Sequence, residues 1–259
     1  MAELNKQDVA VREPLLVIHG WGMNSSVWES IDKYLRQDFH ITYLDLPGHG
    51  KSREVQANSL AEIVDYILPS IKYPTHIMGW SLGGLVAQEI IHRSPELIKK
   101  VILVASTPRF SQSEGWQNAM SKDVLNTFSD NLLKDSKGTI KRFISLQFMG
   151  VKDSQIIQRE WRDRLLKNLP AEQALAVGLD ILQHQDFRQL TIKHKNLWIL
   201  GGKDRLVPVE IVDDLSKLFS NANIEIISGA GHAPFMTHSK QFAECVMTFL
   251  TSKNKQRFY

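Results

Sequence analysis

The sequence predicts an α/β fold in which a mostly parallel sheet is covered by helices. Six short apolar segments, several of them rich in β-branched residues, alternate for the most part with segments of helical spacing. The six segments are LLVI (15–18), ITYLDL (41–46), HIMGW (76–80), VILVAS (101–106), LWILGG (197–202) and IEIIS (224–228). Strands that are apolar along their whole length need cover on both faces, so the pattern indicates a parallel sheet.

The remaining periodic segments predict helices in two groups. Four of them alternate with or follow the strands: SLAEIVDYILPSI, SLGGLVAQEIIHR, PVEIVDDLSKLFS and SKQFAECVMTFLT. From about Phe110 to Leu190 the strands stop, and the pattern is helical throughout. We therefore expect one structural domain, with a core formed by residues 1–109 and 191–259 and a helical cap inserted at 110–190.

The composition is that of a globular protein with a sizeable core. Of the 259 residues 43% are hydrophobic and 23% are charged, which excludes disorder, collagen and coiled coil. The single cysteine, Cys245, cannot form an internal disulfide. The first residues lack the apolar segment of a secretory signal, and no apolar stretch approaches the roughly 18 residues that span a bilayer. We therefore expect a cytoplasmic protein without a membrane partner.

The net charge of +3 is too small to indicate a nucleic-acid partner, and none is expected. The charge is unevenly distributed, however, since residues 134–167 contain nine Lys or Arg against four Asp or Glu. This window is either a solvated helical face or a surface that binds an acidic protein.

The strongest motif is the G-x-S-x-G sequence formed by residues 79–83. It follows the strand HIMG and begins the helix LGGLVAQEIIHR, which is the context of a nucleophile elbow. The strained turn needs small neighbours, and Gly79, Gly83 and Gly84 provide the room. The pattern therefore predicts that Ser81 is a nucleophile.

A nucleophilic serine needs a histidine base and an orienting carboxylate, which follow it in the order acid, then histidine. His232 lies in the turn SGAGHAPF after the last strand and before the last helix. Asp204 ends the strand LWILGG and precedes His232 by one helix and one strand. Asp45 is the competing carboxylate, but it precedes the serine and is expected to shape its own loop. The predicted triad is Ser81, Asp204 and His232.

An oxyanion needs two donors. The backbone N–H of Leu82 lies at a helix N-terminus, where the helix dipole favours negative charge. The turn HGWG (19–22) has the H-G-x-G form of the second donor loop, which indicates the N–H of Trp21. We expect no metal site, because the chain has no H-E-x-x-H motif and no cluster of Cys and His. A nucleotide site is rejected too, since Asp45 occupies the position where the phosphate-binding loop needs its first glycine.

Together these motifs resemble the α/β-hydrolase fold over about residues 15–250. Within it, the segments GWSLGGLVA, LDLPGHGKS, FISLQ and AGHAPF resemble the pimeloyl-[acyl-carrier protein] methyl ester esterases of biotin synthesis. The resemblance implies a serine carboxylesterase that hydrolyses the methyl ester of a pimeloyl chain tethered to acyl carrier protein. It implies no cofactor.

With this resemblance, we expect the acyl chain to lie between core and cap. Phe143 and Leu146 are three residues apart and share a helix face, and Gln147 is placed to hold the ester or carbonyl end. The expected substrate-binding residues are Trp21, Trp80, Leu82, Phe143, Leu146 and Gln147.

The family presents cap arginines to the acidic carrier protein, and Arg142 and Arg159 fit that pattern. Gly138 and Gln155 stand where further basic residues are expected. The lysines expected to compensate are Lys137, Lys141 and Lys152.

Other functions remain open at this stage. A generalist short-chain esterase, a lactonase or a C–C bond hydrolase would use the same three residues. A hydrolase-fold protein that only binds a ligand is also possible, because fold alone does not determine function. The complete Ser81, His232 and Asp204 set favours an enzyme.

Overall fold

The sheet of this protein has six parallel strands flanked by helices. The computed structural model describes residues 12–252. The strands are β1 (Glu13–Ile18), β2 (Phe39–Leu44), β3 (Thr75–Trp80), β4 (Ile98–Val104), β5 (Lys195–Gly201) and β6 (Ala222–Ile227). Their spatial order is β2-β1-β3-β4-β5-β6, and every neighbouring pair is parallel. The predicted α/β fold is confirmed.

Each strand begins one to three residues before the apolar segment that predicts it. Polar residues such as Lys100 and Lys195, which pair with each other, join the ladder at the N-terminal ends of β4 and β5. Backbone pairing continues there although the side chains leave the core, so hydropathy marks only the buried part of each strand.

The helices are α1 (Glu29–Leu35), α2 (Leu60–Ile67), α3 (Leu82–Arg93), α4 (Lys122–Lys134), α5 (Ser136–Gln147), α6 (Gln155–Lys167), α7 (Glu172–His184), α8 (Ile211–Leu218), α9 (Pro234–Thr237) and α10 (Ser239–Thr251). Helix α1 was not among the helices predicted from the sequence. Adjacent parallel strands need a crossover connection, and α1 lies in the one between β1 and β2.

The cap helices α4 to α7 lie between β4 and β5. The expectation of a helical pattern from Phe110 onwards is wrong for residues 110–121. These form a loop with two isolated bridges, Ser111 to Met120 and Ser113 to Trp116, and Gly115 turns it with a φ of +67°. The bridges pair backbone N–H and C=O groups of this loop that a helix would otherwise have paired. The first cap helix, α4, begins only after its N-cap residue, Ser121.

The strand order reverses beside β1, because β2 lies on one side of it and β3 on the other. In open α/β sheets, ligands bind at the carboxyl ends of the strands next to such a reversal. The loop after β1 contains the HGWG turn, and the loop after β3 contains Ser81. The fold therefore brings these two motifs to one crevice.

Within residues 12–252, none of the helices has the length and apolar character needed to cross a membrane. The expectation about a secretory segment concerns residues 1–11, which lie outside the described residues.

Candidate active site

Ser81 occupies the turn between β3 and α3 in a backbone conformation that side chains rarely adopt. Its φ is 54° and its ψ is −118°. Non-glycine residues are strained in this region, and such strain is typical of functional positions. Two hydrogen bonds hold the turn: Ser81 N–H donates to Val104 O at 2.9 Å, and Ser106 Oγ donates to Ser81 O at 2.9 Å.

The positions around the serine require glycine for steric reasons. A Cβ on Gly79 would overlap the carbonyl of Gly83, and one on Gly83 would overlap the carbonyls that end β1. A Cβ on Gly84 would overlap the side chain of Ser106. The elbow therefore holds β1, β3 and α3 closer together than any larger residue permits.

His232 and Asp204 form a fully buried pair. His232 Nδ1 lies 2.7 Å from Asp204 Oδ2, and both side chains are 0% exposed. The other carboxylate oxygen, Oδ1, accepts the backbone N–H groups of Leu206 at 2.8 Å and Val207 at 3.0 Å. A carboxylate only accepts, so we assign the imidazole proton to Nδ1, which leaves the lone pair on Nε2.

The backbone of His232 is held from both sides. Its N–H donates to Gln147 O, at the end of α5, over 3.1 Å, and its carbonyl accepts Trp80 Nε1–H over 2.8 Å. A Cβ on Gly231 would crowd the same Gln147 carbonyl. The position of the histidine therefore depends on the cap helix as well as on the core.

Ser81 and His232 line the same small cavity of about 10 Å³. The other residues around it are apolar: Phe110, Met120, Leu125, Phe128, Phe143, Leu179, Leu182 and Leu206. Within the described residues, His232 Nε2 is buried without a hydrogen-bond partner, so it does not bond to Ser81 Oγ. Such catalytic hydrogen bonds often form only when substrate is bound. The structure thus brings all three predicted triad residues together, with the acid–histidine bond formed.

The predicted oxyanion donors flank the serine, and His19 orients one of them. Leu46 N–H donates to His19 Nε2 at 3.0 Å, so His19 Nδ1 has the proton and donates to Gly20 O at 2.8 Å. In a trans peptide, Gly20 O and the N–H of Trp21 point in opposite directions. His19 therefore turns the N–H of Trp21 away from itself. Neither that N–H nor the N–H of Leu82 donates to another group in residues 12–252.

Because His19 is buried, we expect the stability of the protein to depend on pH. Burial, assisted by repulsion from His49, lowers the pKa of His19 to about 3. In the unfolded chain His19 takes up a proton below about pH 6.5, so acid favours unfolding. We expect this residue to reduce the free energy of unfolding by about 2 kcal/mol between pH 7 and pH 5. Urea unfolding at both pH values measures the loss.

The matched variant is His19→Gln, which keeps an acceptor for Leu46 N–H. Proton uptake on unfolding at pH 5 should fall by about one, because the side chain at this position no longer binds a proton in the unfolded chain. A variant with the same pH dependence as the wild type would contradict the role of His19.

The expected substrate-binding residues do not all reach the cavity. Phe143 lines it, whereas Leu146 lines a groove on the outside of the cap. Trp21 and Trp80 are buried, and the Trp21 indole N–H donates to Leu175 O at 2.8 Å across the core–cap boundary.

Gln147 and Leu82 are buried as well and do not line the cavity. The Gln147 side-chain Nε2 has no partner among the described residues. Its backbone carbonyl, which sequence analysis did not single out, is the group that contacts His232.

Most of the apolar wall around the serine comes from cap residues that no sequence motif indicated. Leu125 and Phe128 come from α4, and Leu179 and Leu182 come from α7. Both pairs are three residues apart, so each lies on one helix face. The same spacing occurs in any helix packed on a core, and hydropathy therefore cannot distinguish the wall of a cavity from a core contact.

The cations expected to contact a carrier protein are all exposed on the cap. Lys137, Lys141 and Arg142 belong to α5, Lys152 follows it, and Arg159 belongs to α6. Within the described part of the chain, none of these five forms an ion pair. Arg164, by contrast, pairs with Glu29 at 2.7 Å.

Comparison with known proteins shows which family this chain belongs to. The family described as the alpha/beta hydrolase fold matches residues 13–239. Among solved structures, an esterase from Exiguobacterium antarcticum has a TM-score of 0.83 at 20% identity, covering 93% of this chain and 92% of that one. A bromoperoxidase from Bacillus anthracis has a TM-score of 0.83 at 20% identity, covering 93% of each chain. At such identities the structures show the fold alone.

Closer relatives are named pimeloyl-[acyl-carrier protein] methyl ester esterase. The protein from Pseudoalteromonas atlantica is 37% identical over 88% of this chain and 90% of its own length. The protein from Methylococcus capsulatus is 35% identical over 92% of this chain and 94% of its own length. This chain therefore belongs to the α/β hydrolases and, among them, to the pimeloyl-[acyl-carrier protein] methyl ester esterase family, which is a family of carboxylic ester hydrolases.

Proposed function

We propose that this protein hydrolyses the methyl ester of pimeloyl-acyl carrier protein, with Ser81, His232 and Asp204 as its catalytic triad. The observation that carries the proposal is the buried His232–Asp204 pair, which faces the same cavity as a serine in elbow geometry. The names of the relatives supply the substrate.

Hydrolysis proceeds in two halves. Ser81 Oγ attacks the ester carbonyl while His232 Nε2 takes its proton, and the N–H groups of Trp21 and Leu82 stabilise the oxyanion. The proton then passes to the departing alkoxide, which leaves as methanol, and the acyl group remains on Ser81. A water attacks this acyl-enzyme with His232 again as base. The carboxylate is released, and Ser81 regains its proton.

The apolar cavity wall suits a hydrocarbon chain, because eight of the ten residues that line the cavity are apolar and the other two are Ser81 and His232. Burying each methylene of an acyl chain against such a wall contributes about 0.8 kcal/mol. Phe143 belongs to this wall, and its ring lies 6.5 Å from the His232 ring. A chain held there has its ester next to the triad.

The exposed cations on α5 and α6 that form no ion pair within residues 12–252 suit an acidic carrier protein. Charges of this kind mainly raise the rate of encounter and set the orientation of the partner. Gly138 departs from the basic pattern, and the structure offers a local reason. Asp135 caps α5 by accepting the N–H of Gly138 at 2.8 Å, and a Cβ at 138 would overlap the Asp135 carboxylate.

The test is hydrolysis of pimeloyl methyl ester on acyl carrier protein, compared with a p-nitrophenyl ester series. The proposal expects a kcat/KM on the carrier-bound ester well above that on any free ester. Equal or lower values would instead indicate a generalist esterase. Binding without turnover would indicate a ligand-binding protein.

Reversing two charges of the cap distinguishes the binding of the carrier protein from the hydrolysis of the ester. We expect Arg142→Glu with Arg159→Glu to lower kcat/KM on the carrier-bound ester by about 10-fold or more at low ionic strength. The loss should shrink at high salt, since exposed charges are screened over about 8 Å at physiological ionic strength. Steady-state kinetics at two salt concentrations measures both effects.

Two controls accompany this double variant. A small free ester should be hydrolysed at the normal rate, because the triad is untouched. Lys217→Glu changes an exposed lysine on α8 and should leave the carrier-bound reaction unchanged. Equal losses on both esters would mean that the arginines are structural, and no loss on either would mean that this face is only solvated.

A further inference from the structure

Two cavities lie on either side of one side chain, Phe128 of α4. The inner one is the catalytic cavity of about 10 Å³, which has barely room for a single water. The outer one is an open groove of about 610 Å³ between α4 and α5, a volume typical of small-molecule sites. Among the residues described, Phe128 alone lines both.

The inner cavity cannot admit an acyl chain without a side-chain movement. Phe128 is half-buried, and its ring meets the Phe143 ring edge-on with the centroids 5.9 Å apart. Phe143 is more tightly held, because its ring also packs against Trp21 at 4.8 Å and faces His232. Phe128 lines both cavities and has fewer ring contacts than Phe143, so its rotation would connect the two cavities.

The outer groove is lined by residues that would bind an elongated, mostly apolar substrate with one negatively charged end. Its apolar wall includes Val124, Leu146 and Met149. Lys141 and Arg142 also line it, against the single carboxylate of Asp123. The groove thus offers apolar contact along its length and an excess of positive charge.

We propose that Phe128 is the gate of the catalytic cavity and that the tethered ester reaches Ser81 along the α4–α5 groove. The tether is the carrier protein's phosphopantetheine arm, and its phosphate would lie against Lys141 and Arg142. This inference rests on the proposed function. It adds a specificity-determining residue, because the space left by residue 128 limits which acyl chains pass.

Reversible blocking of the groove tests the route. In a Cys245→Ala background, which removes the native thiol, Met149→Cys places a thiol in the groove, where Met149 is 48% exposed. The matched variant, Leu133→Cys, places one on the same cap outside the groove, at a position that is 86% exposed. Each thiol is converted to a bulky mixed disulfide.

The modified Met149→Cys protein should lose at least 10-fold in kcat/KM on the carrier-bound ester and recover on reduction. The modified Leu133→Cys protein should change by less than twofold. Equal effects at the two positions, or none at either, would overturn the route.

Substitution of the gate itself tests the role of Phe128. Phe128→Ala should raise kcat/KM on the carrier-bound ester relative to p-nitrophenyl acetate by threefold or more, and Phe128→Trp should lower the same ratio. An unchanged ratio in both variants would overturn the gate. If the unmodified protein cleaves free esters only, the proposed substrate is wrong, and the route is then judged on p-nitrophenyl octanoate with the same two modified thiols.

Discussion

Ser81→Ala is expected to abolish ester hydrolysis, with kcat reduced by about 10⁴-fold or more. In the proposed triad the three residues act as a unit, so the loss of the nucleophile should also make the buried His232–Asp204 pair ineffective. Hydrolysis of a p-nitrophenyl ester measures the loss, and an organophosphonate should label Ser81 in the wild type.

Ser111→Ala is the matched control. Ser111 is 1% exposed and its hydroxyl donates to Gln183 O at 2.7 Å, so this change removes another buried hydroxyl bond. Its effect should appear in the free energy of unfolding, at about 1 kcal/mol, with kcat within twofold of the wild type. Near-normal activity of Ser81→Ala, or a phosphonate label on another serine, would contradict the assignment of Ser81.

The grouping of Ser81, Asp204 and His232 could be predicted because each lies in the turn or loop that follows a strand. These strands are β3, β5 and β6, and the carboxyl ends of parallel strands meet at one edge of the sheet. Apolar segments bounded by polar turns are a local property of the sequence. The fold class and the convergence of the three residues therefore follow from local patterns and one topological rule.

The contacts between cap and core could not be predicted in this way. The bond from the N–H of His232 to Gln147 O and the bond from Trp21 Nε1 to Leu175 O join residues far apart in the chain. They depend on how the cap packs on the sheet, which hydropathy does not encode.

The loop of residues 110–121 shows a related ambiguity. Trp116 and Met120 are four residues apart, as on one face of a helix, yet both take part in the isolated bridges. Both are buried, so their apolar spacing reflects burial rather than helical backbone.

Asp204→Asn is expected to lower kcat by about 10⁴-fold while the fold is kept. The reason lies in the two N–H groups of Leu206 and Val207, which donate to Asp204 Oδ1. An asparagine must keep its carbonyl oxygen at that position, so its NH₂ group faces His232. The imidazole then has to accept at Nδ1 and retain its proton on Nε2, where it cannot receive the proton of Ser81. Steady-state kinetics measures the loss, and thermal unfolding shows whether the fold is intact.

Asp45→Asn distinguishes this tautomer effect from the loss of a buried carboxylate in general. Asp45 also accepts backbone N–H groups, from Ser25 at 2.6 Å and Lys51 at 2.8 Å, but it follows β2 and does not contact His232. Each of its oxygens has a donor opposite it, so an asparagine there leaves one N–H facing NH₂ and should cost about 1–3 kcal/mol of stability. Its kcat should fall far less than that of Asp204→Asn. If the two variants lost activity equally, His232 would not depend on Asp204 for its tautomer, and the acid of the triad would have to be reassigned.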